Sequence, residues 1–321
     1  MADPIDLSQL ALHFSDEDRA REFVEALRWP NGPFCPHCGA LEVYRLTPKP
    51  TSKHPGRKGL LKCKYCRKQF TVKVGTVFED SHIELRKWLL AIHLLCSSKK
   101  GMSAHQIHRM LGVTIKTAWF MMHRIRYAMT AESFEMKLDG TVEMDETYIG
   151  GKFKNMSNKK RKEMRATGAQ LGVKGQKAPV VSLVQRDGNV RSFHVPQVTG
   201  ANLKKIIQEN VDPSANLMSD GASPYFLVER DFASYESVDH SKQEYVRGQA
   251  HINSVEGYFS LLKRGIIGVY HHVSVEHLHR YTTEFDFRWN RRKDKDYERT
   301  IDAIRMAEGK RLTYNQTKGE H

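Results

Sequence analysis

The chain has 321 residues, long enough for two or three domains, and 40% of them are hydrophobic, enough for ordinary cores. Lys and Arg number 51 against 37 Asp and Glu, a net charge of +14, which favours a polyanionic partner because basic side chains release the counterions condensed on nucleic acid. A membrane protein is disfavoured: no basic amphipathic helix with a Leu-rich or aromatic face stands out, the apolar run Trp88 to Cys96 is too short to span a bilayer, and MADPIDLSQL does not read as a signal peptide. A cytoplasmic setting is expected, where disulfides are rare.

Asp16 to Arg28 reads as a short helix, with Ser15 and Asp18 resembling a capping box. Then come two knuckles, Cys35-Pro-His-Cys38 and Cys63-Lys-Tyr-Cys66, separated by 24 residues. Two such pairs supply four thiolates to one tetrahedral Zn²⁺; four Cys leave no open position, so the zinc expected is structural. A redox pair or unligated thiols are the alternatives. Pro48, Pro50, Pro55 and Gly56 suit a hairpin with a loose tip, and Gln69 to Val74 alternates like a strand. His37 reads as a knuckle surface residue and Cys96 as a buried apolar thiol.

Ile83 to Ser97 is expected to be a helix with Trp88, Leu89, Ile92 and Cys96 inward. Ser103 caps a short helix that Gly112 ends, and Thr114 caps a longer one, Ile115 to Arg126, with Ala118, Met121, Met122 and Ile125 inward. This is a helix-turn-helix layout whose second helix would offer Lys116, Thr117, His123 and Arg124 to phosphates or bases. Two helices of a small bundle would give the same pattern.

From Thr141 the pattern changes. TVEMDETYIGG, Ala178 to Gly188 and Asn189 to Pro196 read as three strands, the last two joined at Asp187-Gly188. Thr199 to Asn210 is a helix, Asn216 to Ser219 a strand ending in an acidic turn, and Ser234 to Asp239 a fifth strand. In the helix Ala250 to Gly265, Val255, Phe259, Leu262 and Ile266 form an apolar stripe, and Asn253, Glu256, Ser260 and Lys263 a polar one beside it. A solvated helix face would also look like this.

Asp145 falls mid-strand, Asp220 ends the fourth strand, and Glu256 follows with 35 residues between them. A carboxylate in mid-sheet is costly unless ligated. Three brought together suit Mg²⁺ or Mn²⁺, hard ions that take oxygen ligands. Two such ions about 3.5–4 Å apart clamp both oxygens of an in-line phosphoryl displacement. Glu143 and Glu146 rival Asp145; Glu143 shares its strand face and would be a second acid there, while Glu146 points to the other face. Lys152 to Lys177 carries nine Lys or Arg and one Glu, a long loop suited to DNA phosphates or to a solvated linker. A helix from near Val275 ends in FRWNRRK, with Trp289 in the core. Gly309 to His321 reads as poorly ordered.

The order of elements, with acids on strand one, strand four and a later helix, resembles the ribonuclease H-like fold of DDE transposases and integrases. The spacing from Asp220 to Glu256, with Lys263 seven residues on, is similar to the DDE pattern of insertion-sequence transposases. With the ribbon, the helix pair, MDETYIGGK and HINSVEGYFSLLKRG, the chain resembles the IS1595 (ISXO2-like) transposase family over roughly residues 20–295. The resemblance implies an α+β multidomain chain: a zinc ribbon (31–80) after an N-terminal helical segment (1–30), a helix-turn-helix region (81–132), a ribonuclease H-like mixed α/β catalytic domain (138–295) and a C-terminal tail (296–321). It implies a DNA transposase, acting as a dimer or larger assembly on the ends of a bacterial insertion sequence and on target DNA. Asp145, Asp220 and Glu256 would hold two Mg²⁺ (or Mn²⁺), with Asn253 the rival or neighbour of Glu256. Lys263 and Arg264, Lys159, Lys160, Arg161 and Lys162, and Arg291 and Arg292 would meet DNA phosphate, as would Lys116, Thr117 and Arg124. A nuclease of the same fold without strand transfer, or a non-catalytic zinc-ribbon regulator, are the alternatives.

Overall fold

The computed structural model describes residues 14–47, 58–130, 136–151, 158, 159, 162, 177–221 and 231–317. In chain order their elements are α1 (Glu17–Arg28), β1 (Val43–Arg45), β2 (Leu61–Cys63), β3 (Gln69–Phe70), α2 (Leu85–Ser97), α3 (Ala104–Leu111), α4 (Ile115–Ala128), β4 (Thr141–Ile149), β5 (Ala178–Gln185), β6 (Val190–His194), α5 (Gly200–Asn210), β7 (Asn216–Ser219), β8 (Ser234–Ser237), α6 (Asn253–Gly265), α7 (Val275–Asn290), α8 (Asp296–Arg305) and α9 (Tyr314–Thr317). They form two compact units, Met1–Thr130 with Lys293–His321, and Ala131–Arg292. The segment boundaries expected near residues 30 and 80 therefore fall inside the first unit. No described helix is long and apolar enough to cross a membrane.

In the first unit, β1, β2 and β3 make a small antiparallel sheet. The cap of α1 is Asp16, whose carboxylate accepts from Arg19 N at 2.8 Å, rather than Ser15. The alternating stretch Gln69 to Val74 is a strand only at its first two residues. Beyond Phe70 the Arg28 guanidinium donates to the carbonyls of Val72 and Val74 at 2.8 and 2.7 Å, and turns replace a ladder. Helix α2 has no side-chain cap of its own at Glu84; Glu17 from α1 accepts from Leu85 N and Arg86 N instead. Ser103 caps α3 and Thr114 caps α4, and Gly112 ends α3 at φ +61°, a conformation that favours glycine.

The C-terminal segment is ordered well past Gly309, against expectation. Helix α8 packs along α2, with Thr300 Oγ1 3.0 Å from His93 Nδ1. Glu308 bridges to Thr76 and pairs with Arg28. Lys310 is buried, and its ammonium donates to the carbonyls of Ala128 and Thr130. The Ala128 carbonyl ends α4 and the Thr130 carbonyl lies just beyond it, where intrahelical donors run out.

The second unit is a five-stranded sheet in the order β6-β5-β4-β7-β8. Strands β4, β5 and β6 are antiparallel neighbours, and β7 and β8 run parallel to β4. Asp187, at φ +57°, and Gly188 make the expected tight turn. Alternation along β4 divides two cores. Val142 and Met144 join Leu183, Leu203 and Ile207 on the α5 face. Ile149, Val180 and Val184 join Val255, Phe259, Leu262 and Phe285 on the face covered by α6 and α7. Helix α6 starts at Asn253, three residues later than the sequence suggests, and continues into a π turn, Ile266–Tyr270.

Replacing Lys310 with Met should leave the Ala128 and Thr130 carbonyls without their donor. The expected loss is about 1–3 kcal/mol in the stability of the first unit, measured by urea unfolding of the full chain followed by tryptophan fluorescence.

Candidate metal centres and nucleic-acid interface

The sheet of the first unit brings the two knuckles together. Cys35, Cys38, Cys63 and Cys66 have sulfurs all within 4.8 Å of one another. Cys35 to Cys66 and Cys38 to Cys63 are each 3.6 Å, against the roughly 3.8 Å edge of a tetrahedron with Zn–S bonds of about 2.3 Å. Burial would raise the Cys63 thiol, but the backbone N–H groups of Cys66 and Tyr65 and the neighbouring sulfurs outweigh it and bring it down to about 7. At Cys66 the Lys68 N–H pulls downward, but burial and the sulfurs of Cys35, Cys38 and Cys63 push the thiol up to about 11. One ionised thiol thus opposes the next, and four thiolates coexist only around a cation. The donor set fits zinc. His37 is exposed. Cys96 is buried and faces the Arg299 carbonyl.

In the second unit, β4 pairs with β7 in parallel, Glu143 opposite Met218. Two residues further along both strands, that register sets Asp145 beside Asp220. Gly221, at φ +73°, turns the chain away at once. Asp145 is half-buried and opposite Ser182 of β5. Burial, then the charge of Asp220, and more weakly those of Glu146 and Glu256, push its carboxyl up to about 7; the Glu146 N–H, 2.7 Å away, works the other way. A group of oxygen donors whose like charges raise Asp145 fits a hard divalent cation. Among the described residues these acids are less tightly gathered than the four thiols. Asn253, Glu256, Ser260 and Lys263 line the exposed face of α6, beside its buried apolar stripe. His240 Nδ1 lies 3.9 Å from Glu256 Oε1.

Glu143 is not a further open acid, although it shares the strand face of Asp145. It is fully buried. Its Oε1 accepts from Arg186 Nε at 2.7 Å and Ser254 Oγ at 3.1 Å, and its Oε2 from Ser254 N at 2.7 Å and Val255 N at 3.1 Å. Both oxygens are committed to the start of α6. Sequence reasoning also missed a polar row beyond Asp145. Ser182 Oγ is 2.9 Å from Ser192 Oγ, which donates to Asp286 at 2.7 Å, and Tyr258 of α6 donates to the same carboxylate. Burial raises the Asp286 carboxyl to about 7 despite the hydrogen bonds from Tyr258 and Ser192. Serines at the matching alternate positions of two adjacent strands were the one available signal.

The basic residues divide. Lys159, Lys162, Lys263 and Arg264 are exposed; Lys160 and Arg161 lie outside the described residues, as does most of Lys152 to Lys177. Lys116 is exposed over the Tyr314 ring, and Thr117 is half-buried at the cap of α4. Arg124 and His123 do not face outward as expected. Arg124 is buried between the rings of Trp88 and Phe120 and reaches the Glu79 carbonyl, and His123 is buried against Trp119. Arg292 is exposed but donates to the Gly188 carbonyl at 2.8 Å, holding the β5–β6 turn; Arg291 lies over Phe287. Trp289 is half-buried against Tyr258.

A four-cysteine ribbon in one unit and a mixed α/β sheet carrying Asp145 in the other describe a zinc-ribbon protein with a second, mixed α/β domain. Comparison with known proteins makes the class specific. Residues 15–69 match the transposase zinc-ribbon domain and residues 137–290 the ISXO2-like transposase domain. The chain is also 30% identical, over 86% of its own length and 91% of the relative's, to an "Uncharacterized protein in transposable element ISH50" of Halobacterium salinarum. The chain belongs to the IS1595 (ISXO2-like) transposase family.

Two outcomes follow. Cys63→Ser should reduce bound zinc from one per chain to near zero by elemental analysis, and chelation of the wild type should melt the first unit at a lower temperature. The folded pKa of Asp145, near 7, lies above the ordinary aspartate value of about 3.9. Between those values the folded state holds the extra proton, so metal-free stability should fall as pH rises through that interval. A Mg²⁺ bound at Asp145 would compete with that proton. The rise in melting temperature caused by Mg²⁺ should therefore grow from pH 6 to pH 8, and vanish in Asp145→Asn.

Proposed function

We propose that this protein is a DNA transposase that binds the ends of an insertion sequence, cuts there and joins the freed ends to target DNA. In this reading the second unit is ribonuclease H-like: three antiparallel strands lead, and β7 and β8 add on the far side of β4. The observation that supports the reading is the β4–β7 register: carried two residues past its last pair, Glu143 opposite Met218, it brings Asp220, just beyond β7, toward Asp145, and the charges of Asp220 and Glu256 reach Asp145.

Asp145, Asp220 and Glu256 hold the cations, and Asn253, one turn earlier on α6, adds a neighbouring contact. Two divalent ions held there would supply charge neutralisation at the scissile phosphate and activation of the attacking water. Lys263 and Arg264, about two turns beyond Glu256, bind DNA phosphate beside the acids. In the first step water attacks the phosphorus at the element end, the bond to the 3′ oxygen breaks, and that oxygen leaves as a 3′-OH. In the second the 3′-OH attacks a target phosphodiester, forms the new bond and releases the target's own 3′-OH. Both steps need aligned oxygens and charge neutralisation more than covalent help from the protein.

The ribbon and the α3–α4 pair serve end recognition as a helix-turn-helix module. Arg124 and His123 are withdrawn from that role by their burial, which leaves Lys116 and Thr117 at the start of α4. Lys159 and Lys162 are exposed in the basic segment and suited to sequence-blind phosphate contact. Two ends must be joined, so a dimer or larger assembly forms on DNA.

The test is a labelled duplex carrying the element's ends, incubated with Mg²⁺ and wild type or Asp220→Asn. Wild type should cleave and join. Asp220→Asn should bind the duplex with unchanged affinity while product falls to background. Cleavage without joining would make the protein a nuclease, and binding without chemistry a regulator.

A further inference from the structure

We propose that Glu143 and Arg186 form a clamp that positions Glu256 against Asp145, and so sets the metal affinity of a site to which neither contributes a ligand. The inference rests on the acidic site proposed above. Helix α6 begins without a cap of its own: Ile252 precedes it, and its apolar side chain accepts nothing from the first turn. The exposed N–H groups of a helix start need acceptors, and the helix dipole favours an anion there. Glu143 fills both needs from another element. One of its oxygens takes the Ser254 and Val255 N–H groups, the other the Ser254 hydroxyl.

Arg186 completes the clamp from the end of β5. Its Nε donates to Glu143 Oε1, and its Nη2 to the carbonyls of Gln249 and His251, each at 2.9 Å. The segment entering α6 and the first turn of α6 are thus tied to one carboxylate on β4. That carboxylate is two residues from Asp145 on the same strand face, and the residue it grips, Val255, adjoins Glu256. The short path from Asp145 through Glu143 to Val255 fixes how far the third acid stands from the first. The carboxylate is fully buried and accepts four hydrogen bonds, from Arg186 Nε, Ser254 Oγ, Ser254 N and Val255 N, so an amide in its place would turn an NH₂ group toward donors. Removal of a residue that orients ligands weakens metal binding by about 10–100-fold.

The experiment uses the full chain with Mn²⁺ as probe, titrated by electron paramagnetic resonance, and amide hydrogen exchange across residues 252–258. In Glu143→Gln, Mn²⁺ should bind about 10–100-fold more weakly, and the Ser254 and Val255 amides should exchange at least about 10-fold faster, while far-UV circular dichroism stays native. Asp145→Asn, which leaves the clamp whole, should lose Mn²⁺ and keep the amide protection. Unchanged Mn²⁺ affinity in Glu143→Gln beside lost affinity in Asp145→Asn would overturn the clamp alone. Absence of Mn²⁺ binding in the wild type would overturn the acidic site and the clamp with it. Should Glu143→Gln fail to fold, Arg186→Gln carries the same expected loss and the same overturning result.

Discussion

Like charges repel most where water is scarce, and the second unit gathers carboxylates in the middle of a sheet. Asp145 sits on the central strand, with Asp220 just past the end of one neighbour and Ser182 on the other. Its carboxyl is pushed up to about 7 first by burial and then by the charge of Asp220. A fold that needed only a core would place a valine there, as it does at Val180 and Val184 on the same face. The arrangement is costly without a counter-ion. The flanking elements frame it: Asp220 follows the last residue of β7, Gly221 turns the chain away, and α6 keeps its polar stripe exposed.

The first unit meets the same constraint with softer donors. Its four sulfurs stand close to the separations of a zinc tetrahedron, and ionising one hinders the next. The two centres differ in what they leave open. Four thiolates close the coordination of zinc, so the ribbon is a staple for a small three-stranded sheet. A half-buried carboxylate on the central strand and an exposed one on a helix face leave room for a phosphate. The charge balance of +14 suits such a partner, and Lys263 and Arg264 place part of it on the helix that carries Glu256.

Much of this was legible from local pattern. The knuckle spacing announced the thiol cluster, the Asp187-Gly188 turn fixed the hairpin, and the apolar stripe of α6 predicted which face docks. What failed depended on tertiary partners, most of them distant in sequence. Glu143 read as another acid because alternation gives the face of a side chain but not its partner, which here lies 111 residues later. His123 and Arg124 looked like an outward basic face, yet Trp88, Phe120 and the Glu79 carbonyl, from 4 to 45 residues away, wrap the guanidinium. The polar C-terminal segment seemed unable to pack, but Lys310 is drawn in by backbone carbonyls, which composition does not reveal.

The most direct measurement is anomalous diffraction from crystals of the full chain soaked in Mn²⁺. Anomalous density is expected between the carboxylates of Asp145, Asp220 and Glu256, with Glu143 still bonded to the start of α6. Density absent from these three acids in crystals that take up Mn²⁺ elsewhere, or an ion ligated by Glu143, would contradict it.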